Sequence, residues 1–211
     1  NAVAIDGETL VVGAALDDIS ANPDQGSVYV FVRNGANWGL QQKLTAIAID
    51  ALPNDKFGTS VAISGDTVAV GAPGVNQGRG AAYVFTRSGT TWSEQTKLFL
   101  SGNIPPISLG SAVAVNGDAL AIGAPLDDSE QGAVYPYRRF NTSWLPIPKL
   151  TPFNPAPGAR FGSALAMTPE YSQLFVGAPS ETVGANAHQG AVYGYNYSGA
   201  NWFPAGYFTA I

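Results

Sequence analysis

The amino-acid sequence predicts an all-β protein in which one four-stranded antiparallel sheet is repeated four times. Three observations lead to this prediction. Only 12% of the 211 residues are charged, while 25 are glycine and 15 are proline, a composition typical of many short strands joined by turns. Apolar residues alternate with a period of two. One set of sequence markers also recurs four times in the same order.

The best-defined copy of the repeated hairpin spans residues 57–73. Its apolar positions have the period of two that a strand requires: Val61, Ile63, Val68 and Val70. Gly65 and Asp66 lie between the two apolar runs, and glycine accepts the positive φ of a tight hairpin turn. Pro73 ends the second strand because proline cannot donate a hydrogen bond to a neighbouring strand.

Four markers define the repeat. A Gly-Ala-Pro motif, or Gly-Ala-Ala in the first copy, begins at Gly13, Gly71, Gly123 and Gly177. A residue followed by glycine comes next, at 25–26, 79–80, 131–132 and 189–190. Two aromatic residues spaced two apart follow, at 29/31, 83/85, 135/137 and 193/195. One tryptophan closes each set: Trp38, Trp92, Trp144 and Trp202. The set recurs roughly every 53 residues.

Each copy is interpreted as four strands, A to D. The A strands are predicted at 3–5, 61–63, 113–115 and 165–167, and the B strands at 9–13, 67–71, 119–123 and 173–177. The C strands follow at 27–33, 81–87, 133–139 and 191–197, and the D strands at 38–44, 92–98, 144–150 and 202–208. A four-stranded sheet at this period indicates a β-propeller blade. Since a blade needs neighbours to cover its faces, a single domain over 1–211 is predicted, with blades at 1–54, 55–106, 107–158 and 159–211.

The repeat resembles the FG-GAP repeat of the integrin α-subunit β-propeller. The matching residues are Phe57-Gly58, Leu109-Gly110 and Phe161-Gly162, each followed by Gly-Ala-Pro, and Gly-Ala-Val-Tyr at 132–135 and 190–193. The resemblance covers essentially the whole chain. It implies a non-enzymatic extracellular or cell-surface module for binding or adhesion, with the B–C and D–A loops on the ligand-binding face. It also implies a seven-bladed ring, which needs roughly 370 residues, so four repeats favour a partial ring over a closed four-bladed one.

The sequence departs from the family's calcium-binding pattern. Family members that bind cations carry an Asp-x-Asp-x-Asp-Gly-type loop between strands A and B, which supplies oxygen ligands. The corresponding segments 5–9, 63–67 and 115–119 are short here, and segment 168–173 contains one carboxylate. None can supply the six or more oxygens that calcium takes. No metal and no other cofactor is therefore predicted.

Composition excludes several classes of function. A formal net charge of −5 argues against a nucleic-acid partner, and no apolar run is long enough to span a membrane. The chain has no cysteine, which excludes disulfides, thiolate metal sites and cysteine nucleophiles. Two glycosylation sequons, at Asn141 and Asn196, are expected at equivalent positions in exposed hairpins. They indicate a secreted protein, or they occur by chance in a chain rich in Asn and Ser.

The candidate ligand-binding residues lie in the B–C loops, around a Leu-Asp-Asp motif in the first and third copies and the residue before each loop glycine. They are Asp17, Asp18, Asp24, Gln25, Arg79, Asp127, Asp128, Gln131, His188 and Gln189. The acidic residues are interpreted as a site for a cation or a cationic ligand, and the alternative interpretation is backbone capping and solubility. Arg79 interrupts the glutamine series and is the residue expected to control ligand selectivity. His188 has no accompanying nucleophile motif, so no catalytic residue is predicted.

Three functions remain open at this point. The first is recognition of a protein or glycan ligand through the B–C and D–A loops. The second is a structural role, in which open blade faces complete a larger ring, either with further blades or by self-association. The third is a hydrolase or lyase that uses carboxylates of the loop face.

Overall fold

The computed structural model describes residues 2–47, 51–154, 156–168, 173–199 and 201–209. Four four-stranded antiparallel sheets follow one another, each with its strands adjacent in chain order. The first two comprise β1 Ala2–Asp6, β2 Thr9–Ala14, β3 Ser27–Asn34, β4 Asn37–Leu44, β5 Ser60–Ser64, β6 Thr67–Ala72, β7 Ala81–Ser88 and β8 Thr91–Leu98. The last two comprise β9 Ala112–Asn116, β10 Ala119–Ala124, β11 Ala133–Phe140, β12 Ser143–Pro146, β13 Ala164–Met167, β14 Gln173–Ala178, β15 Ala191–Tyr197 and β16 Trp202–Thr209. The predicted all-β propeller fold is confirmed.

The glycine of Gly-Ala-Pro allows two blades to touch through their backbones. A Cβ atom built on Gly123 would lie 2.0 Å from the carbonyl oxygen of Gly162 in the next blade. The N–H of Gly162 in turn donates to the carbonyl of Gly177 in its own blade, at 3.1 Å. The same close approach joins the earlier blades, Gly13 to Gly58 and Gly71 to Gly110. The Phe-Gly and Gly-Ala-Pro motifs are therefore two parts of one contact between blades.

The residue–glycine pair of each B–C loop makes a second contact between blades. Its first residue accepts a backbone hydrogen bond of 2.9–3.1 Å from the next blade: Gln25 from Phe57, Arg79 from Leu109, and Gln131 from Phe161. The glycine that follows permits the approach, since a Cβ on Gly26 would lie 2.1 Å from the carbonyl oxygen of Phe57. This pairing explains why the residue–glycine marker recurs.

Aromatic side chains fill the space between successive blades. Phe57 is fully buried and packs edge-on against Tyr83 and Phe85, at ring distances of 5.2 and 5.9 Å. Trp92 is also buried, and its Nε1–H donates to Gln41 Oε1 of the preceding blade at 2.8 Å. Three apolar clusters result, one at each junction between neighbouring blades.

An arginine at the end of strand C ties the turns of two blades together. Arg139 donates to Asp118 in its own A–B turn and to the Thr67 hydroxyl of the preceding blade, both at 2.9 Å. Its guanidinium also stacks over the Trp144 ring at 5.1 Å. Arg87 makes the equivalent contacts one blade earlier. Successive blades are thus joined at their polar ends as well as at their apolar centres.

The two sequons do not occupy equivalent positions, contrary to the sequence expectation. Asn141 is exposed in the β11–β12 turn, whereas Asn196 lies within β15, where Gln173 donates to its Oδ1 at 3.2 Å. The fourth blade turns later, with Ser198 N–H bonded to Asn201 O. Only Asn141 is therefore in a hairpin turn. No helix in the part of the chain that the structure describes is long and apolar enough to cross a membrane.

Candidate functional site

The B–C loops and the linkers that precede each Phe-Gly lie at the same end of the blades, where backbone hydrogen bonds join them. Asn54 and Lys56, in the linker between the first two blades, donate to Pro23 and Asp24 of the first B–C loop at 2.9 and 3.1 Å. Because the strands are antiparallel, the A–B turns lie at the opposite end. Any surface that combines the two loop types is therefore at this end.

A cleft of about 570 Å³ opens between the first linker and the second B–C loop. It is lined by residues 52–55 and by Gly74, Asn76, Gln77 and Arg79. Gly74 is required for this shape, because a Cβ there would lie 1.8 Å from the carbonyl oxygen of Asn54. Asn76 and Gln77 both adopt the left-handed backbone region, with φ of 51° and 61°. The second loop thus forms a tight turn that leaves room beside it.

Polar groups dominate the walls of this cleft. Asn54, Asn76 and Gln77 are exposed and offer amide donors and acceptors. Asp55 is buried, and its carboxylate accepts the backbone N–H of Leu52 at 2.8 Å, which fixes the path of the linker. The cleft is suited to a ligand that forms several hydrogen bonds.

Arg79 carries the positive charge of the cleft. Its guanidinium donates to the carbonyl of Gly102 and to Asn103 Oδ1, both at 3.3 Å and both uncharged. Arg87, Arg139 and Arg160 are instead paired with carboxylates, at 2.7, 2.9 and 2.8 Å. Among the contacts that the structure describes, none joins Arg79 to a carboxylate.

Asp17 of the first B–C loop is held by its own blade. The ammonium of Lys43 lies 2.8 Å from its carboxylate, and the hydroxyls of Ser27 and Tyr29 donate to it at 2.6 and 3.2 Å. Lys43 and then Ser27 hold the pKa of Asp17 below its usual value, although burial opposes the shift. The Asp17 carboxylate thus stays ionised and fixes the start of the loop.

Asp127 occupies the same position in the third blade. Its carboxylate accepts the Tyr135 hydroxyl at 2.6 Å and pairs with the Lys149 ammonium at 3.2 Å. Burial, followed by this hydrogen bond, raises the pKa of Tyr135 above its ordinary value. The repeated acid–lysine–tyrosine group indicates a structural use of these two aspartates, and a ligand role for either remains a prediction.

The other predicted site residues are distributed over separate loops. Asp18 accepts the N–H of Asp24 at 2.9 Å, and Asp128 is exposed in a left-handed turn with φ of 50°. Three glutamines precede a loop glycine: Gln25 is buried, Gln131 and Gln189 are half-buried. Among the described contacts, none joins these side chains to Arg79. Their roles in binding stay predictions.

The fourth loop carries His188, exposed and with φ of 57°. Nearby, Glu181 takes the position of Asp17 but is completely buried, and Tyr207 replaces the lysine. Among the residues described, no donor reaches either carboxylate oxygen in bonding geometry, because the neighbouring Tyr193 hydroxyl bonds to Asn154 O at 2.8 Å. Burial raises the pKa of Glu181, and Tyr193 offsets this only in part.

No group of three or more His, Asp or Glu side chains within the described residues is placed to hold a metal ion. Residues 169–172 of the fourth A–B segment lie outside the described residues. The segments 5–9, 63–67 and 115–119 are the short turns that the sequence indicates, and they carry no ring of oxygen ligands.

Comparison with known families gives a match to the FG-GAP repeat over residues 1–31, 38–85 and 92–137, more than half of the chain. The chain belongs to the FG-GAP repeat family. In the structure, the Phe-Gly and Gly-Ala-Pro motifs, which give the family its name, form the contacts between its blades. No curated protein matches the chain.

Two solved structures have a fold similar to that of this chain. A protein from Lactobacillus plantarum is 15% identical, with a TM-score of 0.62, over 100% of this chain and 55% of that one. The periplasmic gluconolactonase PpgL of Pseudomonas aeruginosa is 13% identical, with a TM-score of 0.60, over 100% of this chain and 57% of that one. The chain thus spans little more than half of their lengths, and the likeness concerns the fold alone.

Sequence reasoning missed the linker side of the cleft and the lysine partners of the acidic loops. Asn54 and Asp55 follow Pro53 in a segment without periodicity, and nothing in the sequence places them beside Arg79. Lys43 and Lys149 each precede a leucine at the predicted end of strand D, and this shared Lys-Leu pattern could have indicated an equivalent role for the two lysines. The cleft itself depends on Gly74, which stands where the third copy has a leucine.

Proposed function

We propose that this FG-GAP protein is a non-enzymatic binding module that recognises a protein or glycan through the cleft at Arg79. The observation that supports this most is that both loop types meet around the guanidinium of Arg79, whose two described hydrogen bonds go to uncharged oxygens. Residues 52–55 come from a D–A linker, and Asn76, Gln77 and Arg79 come from a B–C loop. Lys43, Lys149 and Arg160 at the same blade end are paired with carboxylates, whereas Arg79 donates to two uncharged oxygens.

The chemistry of the cleft favours a ligand that carries a carboxylate. The two hydrogen bonds of Arg79 go to neutral acceptors at 3.3 Å, whereas a carboxylate takes a guanidinium in a shorter bidentate pair. Amides of Asn54, Asn76 and Gln77 would then bond to polar groups beside the carboxylate. An acidic peptide side chain and a uronic acid both have this character.

The binding experiment uses peptide and glycan arrays, followed by titration calorimetry of the best acidic hit. Replacing Arg79 by Gln removes a charge-assisted pair, which contributes about 1.5–3 kcal/mol, or roughly a 10- to 100-fold loss of affinity. The matched control is Arg138→Gln, because Arg138 also donates to a backbone carbonyl, that of Gly199, but lies at the outer edge of the third blade, away from the cleft. Equal binding by wild type and Arg79→Gln would overturn the assignment.

Absence of catalysis is part of the proposal and is tested separately. His188 is exposed, and no hydroxyl nucleophile or orienting carboxylate bonds to it in the described structure, although general-base catalysis needs such partners. Because one structural relative is a gluconolactonase, hydrolysis of gluconolactone is the appropriate assay. We expect the rate to equal that of buffer; a rate that scales with protein concentration would contradict the proposal.

We also propose that the module acts outside the cell. The turn that holds Asn141 is exposed, and a free asparagine in such a turn is accessible to glycosylation. Expression through a eukaryotic secretory pathway is expected to add glycan mass at Asn141 and none at Asn196. The Asn141→Gln variant should then run at the mass of the bare chain. Retention of the unmodified wild type inside the cell would count against this location.

A further inference from the structure

The backbone at Glu181 repeats a loop position that holds an ion pair in another blade. The N–H of Glu181 donates to Ala178 O at 3.2 Å, and its carbonyl accepts the N–H of Gly190 at 3.0 Å. Asp17 makes the same two bonds in the first B–C loop, at 3.1 and 2.9 Å. The carboxylates of Asp17 and Glu181 therefore belong to equivalent points of the two loops.

The fourth blade keeps the anion of this pair and replaces its cation. In the first blade, the ammonium of Lys43 lies 2.8 Å from the Asp17 carboxylate. Tyr207 has the cross-strand position of Lys43 in the fourth blade. Among the residues that the structure describes, none donates a hydrogen bond to either carboxylate oxygen of Glu181. A neutral hydroxyl thus stands where the first blade has an ammonium.

The Glu181 carboxylate is enclosed by aromatic side chains. Glu181 is 0% exposed, and the Tyr207 hydroxyl is also buried, with no hydrogen-bond partner among the described residues. Tyr193 neighbours both groups: its ring centre lies 5.0 Å from that of Tyr207, and burial followed by the charge of Glu181 raises its pKa. The ring of Phe153 packs against both tyrosine rings, at 5.0 and 6.4 Å. One aromatic cluster therefore encloses a carboxylate and a hydroxyl whose oxygens can both accept a cation.

A buried carboxylate is strongly unfavourable unless it is protonated or paired with a positive charge. Burial raises the pKa of Glu181, which is the response of a carboxyl group that lacks such a charge. The equivalent site in the first blade holds one positive charge, that of Lys43. A single carboxylate is too few ligands for calcium, which takes six or more oxygens. The missing partner is therefore a cation with one charge.

We propose that Glu181 and the Tyr207 hydroxyl bind a monovalent cation of the size of K⁺, in the place that the Lys43 ammonium occupies in the first blade. K⁺ is close in size to an ammonium group. Glu181 supplies the negative charge, and Tyr207 supplies a neutral oxygen. The faces of the surrounding tyrosine rings attract the ion as well. The site lies inside the fourth blade, apart from the cleft at Arg79.

The test compares the melting temperature of the whole chain at pH 8 in KCl and in tetramethylammonium chloride. Both salts are used at about 0.15 M, so that charge screening is equal. Tetramethylammonium has the same charge but is too large for an enclosed site. We expect KCl to raise the melting temperature by about 3–6 °C, the shift for an ion at about ten times its dissociation constant. Equal melting temperatures in the two salts would overturn the proposal and leave a proton as the only occupant of Glu181.

Two variants assign the ion to this site. Glu181→Gln keeps the size of the side chain and removes its charge, so the shift caused by KCl should disappear. Tyr207→Lys should rebuild the ion pair of the first blade, raise the melting temperature in tetramethylammonium chloride and remove the effect of KCl. The matched control is Asp17→Asn, which removes a carboxylate already paired with Lys43 and should keep the full KCl shift. A KCl shift that persists in Glu181→Gln would place the ion elsewhere and refute the assignment.

Discussion

Replacing Gly123 by Ala should destabilise the protein far more than the same change at Gly177. The two glycines occupy the same position of strand B in successive blades. At Gly123 the new methyl carbon would lie 2.0 Å from the Gly162 carbonyl oxygen, whereas such contacts essentially never fall below 3.0 Å. The carbonyl must therefore withdraw by about 1 Å, since backbone atoms on both sides leave no other route.

The cost follows from what that withdrawal disturbs. Overpacking in a filled interior costs about 1–3 kcal/mol. The N–H of Gly162 also bonds to Gly177 O at 3.1 Å, and loss of one such bond adds about 0.5–1.5 kcal/mol. We expect Gly123→Ala to lower the free energy of unfolding by about 2–4 kcal/mol. For Gly177→Ala, relief of a strand glycine, worth about 0.5–1 kcal/mol, offsets the mild contact with Ala164.

Urea unfolding followed by tryptophan fluorescence measures this difference, because Trp92, Trp144 and Trp202 are buried. The midpoints should separate while the slopes with urea concentration stay equal, which shows that stability and not compactness has changed. Equal midpoints for Gly123→Ala and Gly177→Ala would refute the reasoning. In that case the close backbone approach would not be what holds successive blades together.

Three further predictions concern charged groups. Glu181→Gln should stabilise the protein at pH 7. Because the pKa of Glu181 is raised in the folded state, the stability of the wild type falls as the pH increases above 4.5. Thermal unfolding from pH 4 to 8 should therefore show a melting temperature that depends less on pH in the variant than in the wild type. Arg139→Gln should cost about 1–3 kcal/mol in urea unfolding, because Arg139 bonds to the preceding blade. Arg33→Gln should cost less than about 0.5 kcal/mol, because the 3.7 Å contact of Arg33 with Glu8 is exposed and stays within the first blade. Equal costs would contradict the tie between blades. Asp17→Asn should remove the part of the acid sensitivity that develops as the pH falls below 3.8, because the lowered pKa of Asp17 makes its ionised form stabilising; an unchanged acid midpoint would contradict this.

The fold could be predicted because it is encoded four times. Each hairpin signal at Gly65 or Gly-Ala-Pro is weak alone, but agreement among the copies leaves a propeller blade as the consistent interpretation. The four-strand plan of each blade follows from local alternation and turns, although the last strand of the third blade, predicted at 144–150, ends at Pro146. The spacing of the repeats does not predict the partner of each glycine, because Gly123 contacts Gly162 only when the blades are packed side by side.

The candidate site could be predicted only in part. Arg79 was found because it interrupts the glutamine series, and the structure places it in a cleft. Asp17 and Asp127 were interpreted as ligand-binding residues because their lysine partners, Lys43 and Lys149, stand more than 20 residues away in the sequence. The second copy has Val75 where the first and third copies have Asp17 and Asp127. The acid–lysine pairing therefore does not recur regularly enough to be recognised from the sequence.

Hydrogen exchange in the presence of a bound acidic ligand tests the central claim most directly, namely that loops recognise the ligand while blades serve as scaffold. The probe is whichever acidic peptide or uronic-acid glycan the arrays return. Binding at the cleft predicts slower exchange confined to residues 51–56 and 74–80, with the blade strands unchanged. Slower exchange over residues 138–147 at the outer edge, with no change at 74–80, would contradict it.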